Sequence, residues 1–238
     1  MASRLRSTRT AVWLLAATLL LPPHASADPR PKDWNPTINP ADFSGIAEDN
    51  PYFPLPPGRI LLYRGSTKDG TETLEFEVTH RTRTVLGVTT VVVVERHALN
   101  GEIVEVSENW FAQDKNGDVW YFGEFSQEYQ NGSPVNSAGS WEAGVNGALP
   151  GIIMKANPQP GDVYFQEFSP GIAQDQAQVM STSGTSTVLQ GTYSGVLETK
   201  EWTSLEPNSR ERKLYAPGIG LILEQKGNEK LELTEIRD

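Results

Sequence analysis

The chain contains no cysteine. That excludes disulfides, thiolate nucleophiles, sulfur-ligated metals and lipidation of an N-terminal cysteine. Histidine is nearly as scarce, with three in 238 residues. No H-E-x-x-H zinc motif, G-x-S-x-G nucleophile elbow, phosphate loop or dinucleotide fingerprint occurs, and the Gly218–Gly220 "GIG" lacks the required spacing. Bases are under-represented: 20 Lys and Arg stand against 30 Asp and Glu, a net charge of −10. A surface of that sign argues against nucleic acid and anionic membranes as partners. Amphipathic helical periodicity is missing throughout, as is any internal repeat.

The one apolar run of helical length is "AVWLLAATLLL" at residues 11–21. It is short for a span, which needs ~20 apolar residues. Arg4, Arg6 and Arg9 precede it, Pro22 and Pro23 end it, and Ala25-Ser26-Ala27 supplies a small-x-small site. This is the pattern of an export signal over 1–27, with cleavage after Ala27 and no stable membrane anchor. Its removal takes three bases and no acids, leaving a more acidic protein in the periplasm or outside the cell. Residues 28–58 are dense in proline and read as an extended lead-in, pinned to the domain by Trp34, Phe43, Tyr52 and Phe53.

From Arg59 onward the pattern is β. "ETLEFEVTH" sets Leu74, Phe76 and Val78 on one face and Glu75, Glu77 and Thr79 on the other, as a half-buried antiparallel strand does. "TVLGVTTVVVVERHA" reads as a long strand bent or bulged at Gly87. Asn100-Gly101, Asn116-Gly117 and Asn131-Gly132 are turn signals in a meander of hairpins. Residues 136–160 read as an irregular Gly-, Pro- and Asn-rich insertion. The expected fold is a single all-β domain over 59–238, an antiparallel barrel-like or half-barrel sheet, or a sandwich, with very little helix.

Three constellations carry candidate chemistry. Asp114, Asn116 and Asp118 alternate in "DKNGD", as in the first half of a calcium loop, but Val119 and Phe125 stand where an EF-hand needs glycine and a bidentate acid. The choice is between a calcium site, completed by Glu124 or an acid from the insertion, and a turn whose side chains bond their own backbone. His80 and His97 lie near strand ends and lack the further ligands that zinc requires; they read as exposed or edge-strand residues. Glu124, Glu128, Glu142, Asp162 and Glu167 lie close to aromatics, which suits either carboxylate catalysis on a polymer or binding of a sugar-like ligand. Trp110 and Trp120 read as core. Trp141 and Tyr121 are candidate ligand platforms beside Glu124, and Glu142 and Glu167 are the candidate catalytic acids.

Blocks at residues 110–124 ("WFAQDKNGDVWYFGE"), 139–144 ("GSWEAG"), 150–154, 161–167, 199–207 ("TKEWTSLEP") and 215–220 ("YAPGIG") resemble an uncharacterised family of exported bacterial β-rich proteins. The last block is also similar to an element of secreted TapB-like proteins. The resemblance spans most of the chain and implies one β-rich domain behind a signal peptide. It implies no reaction. The family pattern has Asp where this chain has Asn109, and is richer in acids across residues 171–178.

The functional expectation is a non-catalytic exported binding protein for an apolar molecule, a glycan or calcium, with the ligand at a barrel mouth. The alternative is a carboxylate-dependent hydrolase acting on an envelope polymer.

Overall fold

The computed structural model describes residues 34–45 and 49–238; the signal segment at 1–27 and the first residues of the lead-in lie outside the described residues. A single 3-10 turn, Pro40–Asp42, precedes sixteen strands. These are β1 Phe43–Gly45, β2 Ile60–Thr67, β3 Gly70–Val85, β4 Val88–Leu99, β5 Glu102–Asp114, β6 Val119–Gln130, β7 Ser133–Asn136 and β8 Trp141–Glu142. They continue as β9 Leu149–Met154, β10 Val163–Phe165, β11 Glu167–Phe168, β12 Asp175–Thr187, β13 Thr192–Thr203, β14 Glu211–Ala216, β15 Gly220–Lys226 and β16 Glu229–Arg237. No α-helix occurs among the described residues.

The main sheet runs β10-β12-β13-β14-β15-β16-β2-β3-β4-β5-β6-β9-β11, antiparallel throughout, with β1, β7 and β8 as side branches. Its two edge strands, β10 and β11, are separated in sequence only by Gln166. The chain itself therefore draws the edges together, and Gln166 N donates to Asp175 O of β12 at 2.8 Å. The result is a nearly closed barrel rather than a sandwich, which leaves little unpaired edge. The seam needs Gly151 on β9: a Cβ there would lie 2.1 Å from the Gln166 carbonyl oxygen.

Two parts of the sequence reading change. Leu86-Gly87 is a hairpin turn between β3 and β4, with both residues at positive φ (51° and 79°), so the long strand expected to bend there is two strands. Leucine at the first turn position hides a signal that asparagine announces at Asn100-Gly101. The region 136–160 is less irregular than expected. It carries β8 and β9, and β9 pairs with both β6 and β11 as a stave of the wall. Its "LPGIIM" is too short, and too glycine- and proline-flanked, to show periodicity.

The two ends of the barrel differ. The lead-in crosses one end and closes it. Lys115 N donates to Asp42 O at 2.7 Å, Gly218 N to Pro51 O at 2.7 Å, and Gly58 N to Val78 O at 2.7 Å. Trp34 Nε1 donates to Pro150 O at 3.0 Å, and its ring packs on Trp120 and Phe165. Phe53 and Leu55 are buried in the main apolar cluster, with Val78, Val93, Phe111, Phe122 and Met154. The opposite end carries the turns at 67–70, 99–102 and 226–229 and the longer connections at 131–140 and 204–210.

Candidate functional site

Inside the barrel lies a cavity of about 810 Å³. Phe53, Pro54 and Leu55 of the lead-in line its closed end, and the exposed Lys68 and Asp69 of the β2–β3 turn line its other end. It is a chamber with an apolar floor at one end and a polar rim at the other. An aromatic ladder climbs from the floor: Phe53 sits 6.1 Å from Phe76 and 5.3 Å from Phe111 between ring centroids. Phe111 stacks on Tyr121 at 4.6 Å, and Trp141 meets Tyr121 edge-on at 5.3 Å. Phe111 and Tyr121 are direct cross-strand partners of β5 and β6, so sheet register alone makes the stack.

Above the aromatics the wall is charged. Alternate residues point inward, and here many of them are polar: Glu95 and His97 on β4, Glu105, Ser107 and Asn109 on β5, Glu124, Ser126 and Glu128 on β6, Glu211 and Lys213 on β14, Glu224 and Lys226 on β15. Three cations are held within this wall: Lys226 lies 3.8 Å from Glu211 and 3.9 Å from Glu206, and the other two are His97 and Lys213. His97 lies 3.7 Å from Glu72 and 3.6 Å from Glu95. Burial opposes its protonation, but hydrogen bonding to Glu72 and Glu95 outweighs it and lifts its pKa to about 10. The imidazolium is therefore charged at neutral pH. Lys213 Nζ sits among Glu201 at 3.2 Å, Glu224 at 3.5 Å and Glu211 at 3.6 Å. Burial works against its charge too, and the three carboxylates raise its pKa well above the ordinary value. Glu201 faces Glu211 directly across β13 and β14, and Lys213 faces Glu224 across β14 and β15. The register that juxtaposes like charges also sets the lysine beside them.

A third carboxylate group lies where β6, β11 and β12 meet. Burial pushes Glu124 up to about 8, with repulsion from Glu105 and Glu95 adding and the Tyr121 hydroxyl opposing. Glu167 is raised well above its ordinary value by burial, then by Asp175 and Glu124. Asp175 is raised by burial to about 6, with Lys213 pulling the other way. The Tyr121 hydroxyl donates to Asn109 Oδ1, and Ser126 Oγ donates to Glu105 Oε1 at 2.5 Å. Among the described residues, no lysine, arginine or histidine makes an ion pair with Glu124 or Glu167.

The residues singled out from sequence fall into three places. Tyr121, Glu124, Glu128 and Glu167 line the chamber. Trp141 is 5% exposed and packs behind Tyr121 rather than offering an open ring face. Glu142 follows Trp141 on β8 and points away from the chamber, where it pairs with Arg83 at 2.5 Å; Arg83 in turn covers the ring of Trp110. The structure therefore does not bring Glu142 and Glu167 together at the chamber. Asp162 pairs with Lys155 at 2.9 Å on the outer side.

Asp114, Asn116 and Asp118 form a turn at the closed end. Asp114 Oδ1 accepts from Asn116 N at 2.8 Å and Asp118 N at 3.1 Å, and its Oδ2 accepts from Trp120 Nε1 at 3.1 Å. Asp118 Oδ1 accepts from Ala156 N at 2.7 Å. These oxygens bind N–H donors from four directions, which is the backbone-bonding alternative rather than a converging cation cage. Among the described residues, no group of three or more His, Asp or Glu is placed to hold a metal ion.

His97, expected at an exposed or edge position, lies instead on the inner strand β4 and lines the chamber, and Asp175, Glu95, Glu105 and Lys213 are not picked out from sequence. The signal was present as alternation, in E-x-H at Glu95–His97 and E-x-K at Glu211–Lys213 and Glu224–Lys226. A polar alternate face reads as solvent-facing until the sheet is known to close around it.

No family model and no curated protein matches the chain. Among solved structures, the chain is similar to a protein from Parabacteroides distasonis provisionally described as a lipoprotein. The two share 14% sequence identity, with 79% of this chain and 100% of that one covered, at a TM-score of 0.41.

Proposed function

We propose that this is an exported, non-catalytic binding protein that holds a small organic molecule inside its barrel. The observation that carries the reading is the chamber: about 810 Å³ enclosed by one continuous sheet, with an apolar floor and a polar wall. A site of that volume and make-up suits a drug-sized ligand. Export, to the periplasm or beyond, follows from the signal pattern at residues 1–27. The resemblance to exported β-rich proteins agrees with this and names no ligand. Of the ligand classes expected, calcium finds least support, because the Asp114 turn is internally bonded.

Native mass spectrometry of the protein taken from its own exported fraction tests the reading. The expected result is an organic mass surplus that disappears after unfolding and refolding. A bare mass, with no small molecule released on unfolding, contradicts it.

One observation favours a second reading, a carboxylate-dependent hydrolase of an envelope polymer. Glu124 near 8 and Asp175 near 6 have been pushed apart from a common carboxylate range, as acid and base partners are. That reading requires polymer cleavage that is lost in both Glu124→Gln and Asp175→Asn.

A further inference from the structure

We propose that the Glu124–Glu167 corner of the chamber is the ammonium subsite of a cationic ligand, a primary or secondary amine on an apolar body. The proposal rests on the chamber being a binding site and names what it binds.

The charges of the chamber wall are unevenly balanced. The chamber wall holds three carboxylate groups, and two of them contain their own cation. Glu72 and Glu95 clasp His97. Glu201, Glu211 and Glu224 surround the Lys213 ammonium at 3.2–3.6 Å. The second arrangement shows how this barrel accommodates an ammonium: one cation against several carboxylate oxygens. Glu124 and Glu167 repeat the carboxylates, but among the described residues no base makes an ion pair with either, and Lys213 acts on Glu167 only from beyond ion-pair distance.

A second, independent observation lies behind them. The Trp141 indole N–H is buried, in a residue only 5% exposed, and has no acceptor at hydrogen-bonding geometry. It acts on Glu167, favouring the ionised form, as the Lys213 ammonium does more strongly. Burial, Asp175 and Glu124 all raise the Glu167 carboxyl, and a cation placed among the three would offset the charge that the indole N–H favours.

The surroundings select the kind of cation. Among the described residues no cluster is built for a metal ion. An anionic ligand would face Glu95, Glu105, Glu128 and Asp175 as well as the corner itself. The Phe111–Tyr121 stack adjoins Glu124 and offers an apolar, π-bearing surface to the body of an amine. Tyr121, Phe111 and Phe53 carry that surface down to the floor, which suits an apolar substituent.

Binding then carries a proton signature. Burial raises the Glu124 carboxyl to about 8, so it holds its proton at neutral pH. Arrival of R-NH3+ favours the carboxylate, so the Glu124 proton leaves to solvent as the ion pair forms. The groups that set this titration are Glu95 on β4, Glu105 on β5, Tyr121 on β6, Glu167 on β11 and Asp175 on β12.

The test is isothermal titration of the mature protein with matched pairs, tryptamine against tryptophol and 1-octylamine against 1-octanol. The amines are expected to bind at least about tenfold more tightly than the alcohols. They should release protons at pH 7, seen as a buffer-dependent enthalpy, with affinity rising from pH 6 to pH 8. Glu124→Gln with Glu167→Gln should abolish the preference and the proton release, while Glu198→Gln on the outer face changes neither. Circular dichroism melts confirm that the variants fold, and each single variant substitutes for the double if it does not. Equal binding of amine and alcohol overturns the amine assignment and leaves the chamber reading intact. Binding of neither member of either pair overturns both. An amine preference that survives in the folded double variant places the cation elsewhere and overturns the assignment.

Discussion

Asn50 Nδ2 donates to the carbonyl oxygen of Gly117 at 2.9 Å, tying the lead-in to the turn between β5 and β6 across 67 residues of sequence. The same side chain reaches Lys155 O at 3.3 Å, and its Oδ1 accepts from Tyr52 N and Phe53 N, both at 3.0 Å. Asn50 is 2% exposed. One asparagine thus shapes the turn that delivers Phe53 and Leu55 to the chamber floor and fastens that turn to the barrel end.

Asn50→Ala removes both donors and acceptor and leaves two backbone N–H groups near the core without partners. A loss of about 2–4 kcal/mol in unfolding free energy is expected. Amide exchange should accelerate across residues 50–58 more than in β3, β4 or β5. Uniform acceleration through the barrel would show that the floor is not a separable fastening.

Asp114→Ala strips acceptors from Asn116 N, Asp118 N and the Trp120 indole. A loss of about 1–3 kcal/mol is expected from the orphaned donors alone. The wild-type melting temperature should not respond to millimolar calcium or to chelator. A calcium-dependent rise, abolished in this variant, would restore the cation-site reading of "DKNGD".

The charged wall predicts a pH profile of stability. Asp175 is raised from 3.8 to about 6, Glu211 from 4.5 to about 7, Glu124 from 4.5 to about 8 and His97 from 6.5 to about 10. Burial leads for the three carboxyls, and the Glu72 and Glu95 hydrogen bonds outweigh it for His97. Each group holds its proton more tightly folded than unfolded. Between the ordinary and raised values the unfolded chain has fewer protons bound, so stability falls as pH rises. The melting temperature should be highest at about pH 4 and decline through pH 9. Glu124→Gln should flatten the part between 5 and 8. A wild-type profile that is level or rises over that interval contradicts the burial of these groups.

Gly123 occupies φ +133°, and a Cβ there would stand 2.4 Å from the Trp141 carbonyl oxygen. Gly123→Ala therefore meets backbone in a conformation that L-residues avoid, costing about 2–4 kcal/mol. Because β8 pairs with β6 at Gly123–Glu142 and Glu124–Trp141, the shift should reach Tyr121 and Glu124. Loss of amine binding at temperatures where the variant remains folded is the expected outcome; unchanged affinity would separate β8 from the site.

Much of the architecture is legible in the sequence because strand alternation and Asn-Gly turns are local signals. Leu74, Phe76 and Val78 share a face as their spacing requires, and Asn100 and Asn131 mark their turns at positive φ. The seam at Gly151 and Gln166 is not legible, since it depends on contact between non-adjacent strands. The site is half legible. Tyr121, Glu124 and Glu167 attract notice as acids and aromatics in company. The Lys213 and His97 clusters do not, because "ERKLY" and "VERHA" look like solvent faces until closure turns those faces inward. Glu142 misleads for the converse reason: it is next to Trp141 in sequence, and alternation sends it to the other side.

The most direct test of the chamber is amide chemical-shift mapping of the labelled mature protein titrated with tryptamine. The account predicts perturbations concentrated at lumen-facing positions of β5 and β6, around Asn109, Phe111, Tyr121 and Glu124, and at Glu167 and Asp175, with little change at outward-facing residues such as Arg83, Glu142 and Glu198. Shifts confined to the outer face, or none at saturating ligand, would contradict it.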